Sequence, residues 1–123
     1  MRPVFVLGLA LALSACAMDS TAPSVSVDGS YALRTINGTS LPYTFSSGLT
    51  LSSDVLTMNV NGTYTDVARY SDGRTSTEQG YYTNTNGAIT FNSQVSGFTY
   101  QGSLSGSVLT QILNGFTQTF QKQ

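Results

Sequence analysis

The stretch SVLTQILNGFTQTF, residues 107–120, is typical of two short strands joined by a tight turn. Asn114 and Gly115 tolerate the positive φ angles that a two-residue hairpin turn demands. Such a turn fixes three cross-strand pairs on one side of the ribbon, namely Leu113 with Phe116, Gln111 with Gln118, and Leu109 with Phe120. If this face is interior, each amide needs partners, since a buried unsatisfied polar group costs about 1 to 3 kcal/mol. Partial exposure near the mouth of a barrel avoids that cost and is the arrangement we expect.

The same turn chemistry recurs along the chain, at Asn37-Gly38, Asn61-Gly62, Asp72-Gly73 and Asn86-Gly87. The short runs between these turns alternate in polarity, and none holds a 3.6-residue apolar period long enough for a helix. This spacing predicts an all-β fold, an antiparallel up-and-down meander of about eight short strands that closes into a small barrel; a β-sandwich is the alternative. Closure requires the last strand, FTQTF, to pair with the first, SYALRTI, because an open sheet would leave two free edges.

Alternation along these strands places large side chains on the inner face of the predicted barrel. They are Tyr31, Leu33, Leu56, Met58, Tyr64, Ala68, Ile89, Phe91, Phe98, Tyr100, Leu104, Phe116 and Phe120. Eight strands enclose either a packed core or one small ligand, and the size of these side chains favours a packed core. Asp66 shares this face if residues 60–62 form a three-residue bulged loop. Since carboxylates are usually solvated, we expect Asp66 to be exposed.

The first sixteen residues have the pattern of an export signal. Arg2 precedes the apolar run VFVLGLALAL, residues 4–13, which is far shorter than the roughly twenty residues that span a bilayer. The run ends in LSAC, residues 13–16, which resembles the signal of bacterial lipoproteins. The resemblance implies a signal peptide at residues 1–15 and a lipidated Cys16 that anchors the protein to a membrane.

Cys16 is the only cysteine of a chain that has no histidine. A lone exported thiol has no intramolecular partner, and lipidation removes its reactivity. The alternative is an ordinary cleaved signal with a free Cys16. Because Ala17 is not aspartate, the resemblance to lipoproteins implies the outer membrane of a Gram-negative cell envelope. Residues 16–27 then form the lipidated cysteine and a flexible tether, and residues 28–123 form one domain.

The start of that domain resembles a known family. Gly29-Ser30-Tyr31, then TINGTSLPYTF at residues 35–45 and a series of glycine-marked hairpins, are similar to the small lipocalin-like domains of bacterial lipoproteins. In true lipocalins the first strand opens with glycine, any residue and tryptophan, whereas here Tyr31 stands at the tryptophan position and the chain has no tryptophan. The resemblance implies a lipocalin-like barrel and a small apolar or amphipathic ligand.

The amino-acid composition argues against several other functions. Charged residues make up only 9% of the chain and form no basic run, so nucleic acid is not an expected partner. Without histidine there is no Ser-His-Asp triad and no imidazole metal ligand, and the carboxylates are scattered along the chain rather than paired. We therefore expect that the protein is not an enzyme and that it binds no metal ion and no cofactor.

Two functions remain. The first is an envelope-anchored module that binds a small hydrophobic or amphipathic ligand, with the candidate ligand-binding residues Tyr31, Tyr64, Tyr100, Gln111 and Gln118. The second is a structural or protein-interaction module of the envelope, with a solid barrel that makes its contacts through Tyr43, Tyr70, Tyr81 or Tyr82.

Overall fold

The computed structural model describes residues 26–123, a range that contains no helix able to cross a membrane. The predicted signal peptide, Cys16 and most of the predicted tether lie outside the described residues. Ten strands follow one another: β1 Gly29–Ile36, β2 Thr39–Ser40, β3 Tyr43–Thr44, β4 Thr50–Met58, β5 Thr63–Tyr70, β6 Thr75–Thr85, β7 Ala88–Ser93, β8 Thr99–Ser105, β9 Val108–Leu113 and β10 Phe116–Lys122.

The strands close into a barrel. From β4 to β10 each strand pairs antiparallel with the next, β10 pairs with β1, and β1 pairs with β4. Eight strands, β1 and β4 to β10, thus form a ring, while β2 and β3 are short additions at one end. The predicted all-β barrel is confirmed, and a ring of this kind is not a β-sandwich.

The final hairpin also has the predicted register. Leu113 pairs with Phe116, Gln111 with Gln118 and Leu109 with Phe120. Phe120 lies opposite Leu33 of β1 and is 1% exposed, whereas Phe116, predicted to be buried, is half-buried at the end of the barrel. The terminal strands therefore protect each other's edges, as closure requires.

The turns take two forms. In three of the Asn-Gly turns both residues have positive φ, with values of 50° at Asn37, 50° at Asn86 and 49° at Asn114. At residues 60–62 only the glycine has positive φ. The loop is closed by a 2.8 Å hydrogen bond that Asn59 N donates to Thr63 O. This is the three-residue loop considered above, and it sets Met58 opposite Tyr64.

The two ends of the barrel differ. At the end where the chain enters, which we call the closed end, Val27 is 3% exposed and accepts a 2.7 Å hydrogen bond from the Tyr31 hydroxyl. Lys122 Nζ lies 5.8 Å from the centre of the Tyr31 ring at the same end. The packed unit therefore includes Val27, one residue before the predicted domain boundary. The opposite end, formed by the loops at residues 37–50, 71–74, 94–98 and 114–115, is called the mouth.

Large side chains fill the middle and the closed end of the barrel. Tyr31, Leu56, Met58, Ile89, Phe91, Leu109 and Phe120 are all at most 1% exposed. The Tyr64 ring meets the Phe91 ring edge-on, with centroids 5.3 Å apart. The predicted inner position of Phe98 is wrong: its ring is 58% exposed because it lies in the loop before β8, where strand alternation does not apply.

Candidate functional site

A cavity of about 260 Å³ lies at the mouth of the barrel. Its lining combines apolar rings with carboxyl groups: Phe45, Leu51, Asp54, Asp66, Ala68, Tyr70, Ser76, Glu78, Leu113, Asn114, Phe116 and Gln118. Pockets for drug-sized ligands have volumes of about 300 to 1,000 Å³, so this one suits a smaller molecule. We call it the mouth cavity.

Strand alternation directs Asp54 into the barrel. On β4 it falls two residues before Leu56 and four before Met58, and all three side chains are buried. An irregularity in the pairing of β4 with β5, between Leu51 and Ser53, then lets Leu51 point inward as well. Asp54 is only 7% exposed, which is unusual for a carboxylate.

Asp66 reaches the same cavity from β5. It lies between Tyr64 and Ala68, both buried, and it is opposite Leu56 on β4 and Glu78 on β6. Asp54 lies opposite Ala68, so the two aspartates are diagonal neighbours on one face of the sheet. The expectation that Asp66 is solvated is wrong. Tyr64 and Ala68, two positions before and after it on β5, face the core, so strand alternation directs the Asp66 side chain inward as well.

The Asp54 and Asp66 carboxyl groups, here the carboxyl pair, hydrogen-bond each other. Burial raises the pKa of Asp54 far above its ordinary value of 3.8, and the hydrogen bond to Asp66 and the charge of Asp66 raise it further. Burial also raises the pKa of Asp66, although the bond from Asp54 partly lowers it. Because the pKa of Asp54 is raised so far, the pair as a whole retains a shared proton at neutral pH.

One oxygen of each carboxyl group in the pair receives no donor from the surrounding residues. Within residues 26–123, the Oδ1 atoms of Asp54 and Asp66 are buried, and no N–H or O–H group of another residue donates to them. A buried polar atom left unpaired costs about 1 to 3 kcal/mol. The inference from sequence that the carboxylates are scattered is thus corrected: residues distant along the chain are paired across β4 and β5.

The third carboxyl group of the mouth cavity belongs to Glu78. Its Oε2 accepts a 3.1 Å hydrogen bond from the Tyr64 hydroxyl, and burial, together with the charge of Glu78, raises the pKa of Tyr64. Tyr70 also has a raised pKa, first from burial and then from the charges of Asp54 and Asp66. The floor of the mouth cavity is therefore electronegative.

The basic side chains of the described range lie elsewhere. Arg34 and Arg69 are exposed, and Arg74 pairs with Asp72 at 2.6 Å, with both side chains exposed outside the barrel. Lys122 is at the closed end beside Tyr31. Within residues 26–123, no arginine or lysine lines the mouth cavity, and no three acidic side chains converge as ligands for a metal ion.

Aromatic rings form the rim of the mouth cavity. Phe45 meets Phe116 edge-on at 5.8 Å, and Tyr43 meets Phe45 at 5.0 Å. Phe45 lies in the segment that follows β3, so the loop between β1 and β4 is packed against the final hairpin. Apolar side chains thus surround the opening, and carboxyl groups lie below it.

The residues predicted from the sequence to bind a ligand are separated by the structure. Gln118 lines the mouth cavity, and Gln111, its cross-strand partner, is 5% exposed inside the barrel. Tyr31, Tyr64 and Tyr100 are part of the buried core. The interior position of Gln111 differs from the partly exposed face that we expected.

The four tyrosines considered for protein contacts are also dispersed. Tyr81 is 53% exposed, whereas Tyr43 and Tyr82 are half-buried, and Tyr70 lines the mouth cavity. Sequence reasoning missed Asp54 and Glu78 as cavity residues. For Asp54 the available signal was its spacing of two from Leu56, a residue already assigned to the inner face.

A second and more open groove of about 470 Å³ lies between two loops of the mouth. It is lined by Ser47, Gly48, Leu49, Thr50, Ser71, Asp72 and Arg74. Its two charged side chains are already paired with each other. It offers no buried polar group, and we assign the site to the mouth cavity instead.

Comparison with known proteins supports the fold. A solved structure described as a lipocalin-like protein from Bacteroides uniformis ATCC 8492 superposes with a TM-score of 0.53 over 78% of this chain and 97% of its own, at 19% sequence identity. At that identity the likeness concerns the fold alone, and the fold is lipocalin-like. Neither the family models nor the curated proteins give a match to the chain.

Proposed function

We propose that the protein is a binding module of the cell envelope that takes a small amphipathic molecule into the mouth cavity. The observation that carries the proposal is the combination of an apolar rim with a floor of carboxyl groups, of which Asp54 and Asp66 receive no donor at Oδ1 from other residues in the range 26–123. Such pockets bind through apolar contact and use a few polar groups for orientation. We propose binding without catalysis, since no histidine, lysine, arginine or cysteine lines the cavity.

A pair of matched variants tests binding at the mouth cavity. Ala68→Leu adds three carbons to a cavity wall, whereas Ala88→Leu adds the same atoms at an exposed position of β7. We expect small amphipathic molecules to shift the backbone amide NMR signals of Ala68 and Gln118 in the parent and in Ala88→Leu, but not in Ala68→Leu. Equal responses in all three proteins would place binding elsewhere.

We also propose that Cys16 is lipidated and holds the protein on the outer membrane of a Gram-negative cell. The support is the LSAC motif at the end of the signal-type run, with Ala17 following the cysteine. Cys16→Ser should move the protein from the membrane fraction to the soluble fraction, while Ser20→Ala, a change in the tether, should not. Membrane association that persists in Cys16→Ser would contradict the anchor.

The second candidate function, a structural or protein-interaction module, is favoured by a different feature. Val95, Phe98 and Ile112 are 65%, 58% and 56% exposed, the first two in the loop between β7 and β8. Large apolar side chains that are exposed to this extent are typical of contact surfaces when they form a patch. If this function is the correct one, Phe98→Ser should abolish crosslinking to an envelope protein, and Ala68→Leu should leave it unchanged.

A further inference from the structure

We propose that the molecule bound in the mouth cavity carries a primary ammonium group, which the carboxyl pair of Asp54 and Asp66 receives. This inference rests on the proposed function, because it names the chemical class of the ligand for the same cavity. It depends on the charges around the cavity, the unpaired acceptors and the shape of the rim.

The charge of the cavity has one sign. Asp54, Asp66 and Glu78 line it from three neighbouring strands, and the lining residues, all within 26–123, include no basic side chain. Two carboxyl groups in contact cannot both ionise unless a cation lies beside them. A ligand cation would take the place of the proton that the pair now shares, and one proton would leave for solvent.

A primary ammonium group could donate to both carboxyl groups of the pair at once. A primary ammonium has three N–H donors. Once the cation has replaced the shared proton, two of these N–H groups can be accepted by carboxyl oxygens of Asp54 and Asp66, to which no other residue in the described range donates at Oδ1, and the third by Glu78 or Gln118, which line the same cavity. Both Oδ1 atoms are buried, but the last torsion of an aspartate side chain is soft, so either oxygen can turn toward the cavity.

The rim fits the rest of such a molecule. Phe45, Tyr70 and Phe116 present rings at the opening. Aromatic faces attract cations and pack against apolar groups. A cavity of about 260 Å³ leaves room for one ring or a short alkyl chain beside the ammonium group. A small aryl or alkyl amine therefore meets each requirement of the site.

Three probes of nearly equal shape separate charge from size. Phenethylammonium, phenethyl alcohol and hydrocinnamate share a phenyl ring and a short chain, and differ in carrying a positive, zero or negative charge. Affinities for the full chain would be measured by calorimetry, in two buffers of different ionisation enthalpy, with amide NMR to locate the site. The proteins would be the parent, the double variant Asp54→Asn with Asp66→Asn, and Asp72→Asn, which changes an exposed carboxylate.

We expect phenethylammonium to bind the parent and Asp72→Asn at least about tenfold more tightly than the alcohol does, since hydrogen bonds to charged groups are the stronger ones. Its binding should release up to one proton, and hydrocinnamate should not bind. The double variant keeps the shape of both side chains and should lose the preference for the ammonium while retaining the alcohol.

Other outcomes overturn the inference in distinguishable ways. If the three probes bind the parent equally, or if hydrocinnamate binds best, the ammonium assignment is wrong and binding at the mouth cavity stands. If no probe shifts the signals of the cavity residues, both the inference and the proposed function fail. If the double variant keeps the ammonium preference, another group receives the cation.

Discussion

Replacing Asp54 with asparagine should change how the stability of the protein depends on pH. In the folded protein the pKa of Asp54 is raised, whereas the unfolded chain returns it to its ordinary value of 3.8. Between pH 5 and pH 7 the folded state therefore holds about one more proton than the unfolded state. Stability then falls as pH rises, by up to about 1.4 kcal/mol per pH unit, or about 2 to 3 kcal/mol across this window.

Asparagine keeps the shape of the protonated side chain and can still donate a hydrogen bond to Asp66. The free energy of unfolding of Asp54→Asn should therefore not fall in this way as pH rises. Its difference from the parent should increase by about 2 to 3 kcal/mol in favour of the variant between pH 5 and pH 7. Urea denaturation followed by circular dichroism measures it, since the chain has no tryptophan to report unfolding. The chain also has no histidine, so no imidazole titrates in the same window.

The matched control is Asp72→Asn. Hydrogen bonds from Arg74 lower the pKa of Asp72, so its carboxylate is ionised in both states throughout the window. Any effect of this variant should be independent of pH. If the profiles of Asp54→Asn and the parent run parallel from pH 5 to pH 8, the carboxyl pair does not hold a proton in the folded state and the reasoning fails.

Three further variants test packing by thermal and urea unfolding. Phe120→Ala should lower the free energy of unfolding by about 3 to 5 kcal/mol, because the ring is fully buried. Phe98→Ala truncates an exposed ring and should change the same quantity by about 0.5 kcal/mol or less. Similar losses in the two variants would contradict the assigned core. Gly80→Ala should destabilise the barrel strongly, because its Cβ would lie 2.0 Å from the backbone oxygen of Asn92, and an unchanged melting temperature would show that this approach is not so close. Val27→Ala should cost about 1 to 3 kcal/mol if the residue seals the closed end, and nothing if it belongs to the tether.

The fold was largely predictable because its local signals agree. Asn114-Gly115 selects a two-residue turn, and that turn alone determines the pairing of Gln111 with Gln118. Pairing of the last strand with the first was predicted from the cost of leaving two edges unpaired, and the structure sets Leu33 opposite Phe120 in that pairing. These inferences use contacts between neighbouring strands, which turn length and alternation specify.

The site was less predictable because it depends on contacts between residues far apart in sequence. That Asp66 lies opposite Glu78 could be predicted only from the register of β5 with β6, which the sequence does not specify. The raised pKa of Asp54 depends in turn on its contact with Asp66. General rules about charge also point the wrong way here, since carboxylates are usually solvated. The exception arises where alternation leaves a carboxylate no outward position.

The closed end is the end of the barrel to which a membrane tether would be joined. The chain enters the barrel at Val27, and the mouth cavity opens at the far end of β1, whose eight residues rise about 26 Å along the strand. With the usual strand tilt this corresponds to about 20 Å along the barrel axis. In a protein held by Cys16, the tether would therefore join the barrel at the end opposite the opening. The anchor would then leave the route from the aqueous compartment into the mouth cavity unobstructed.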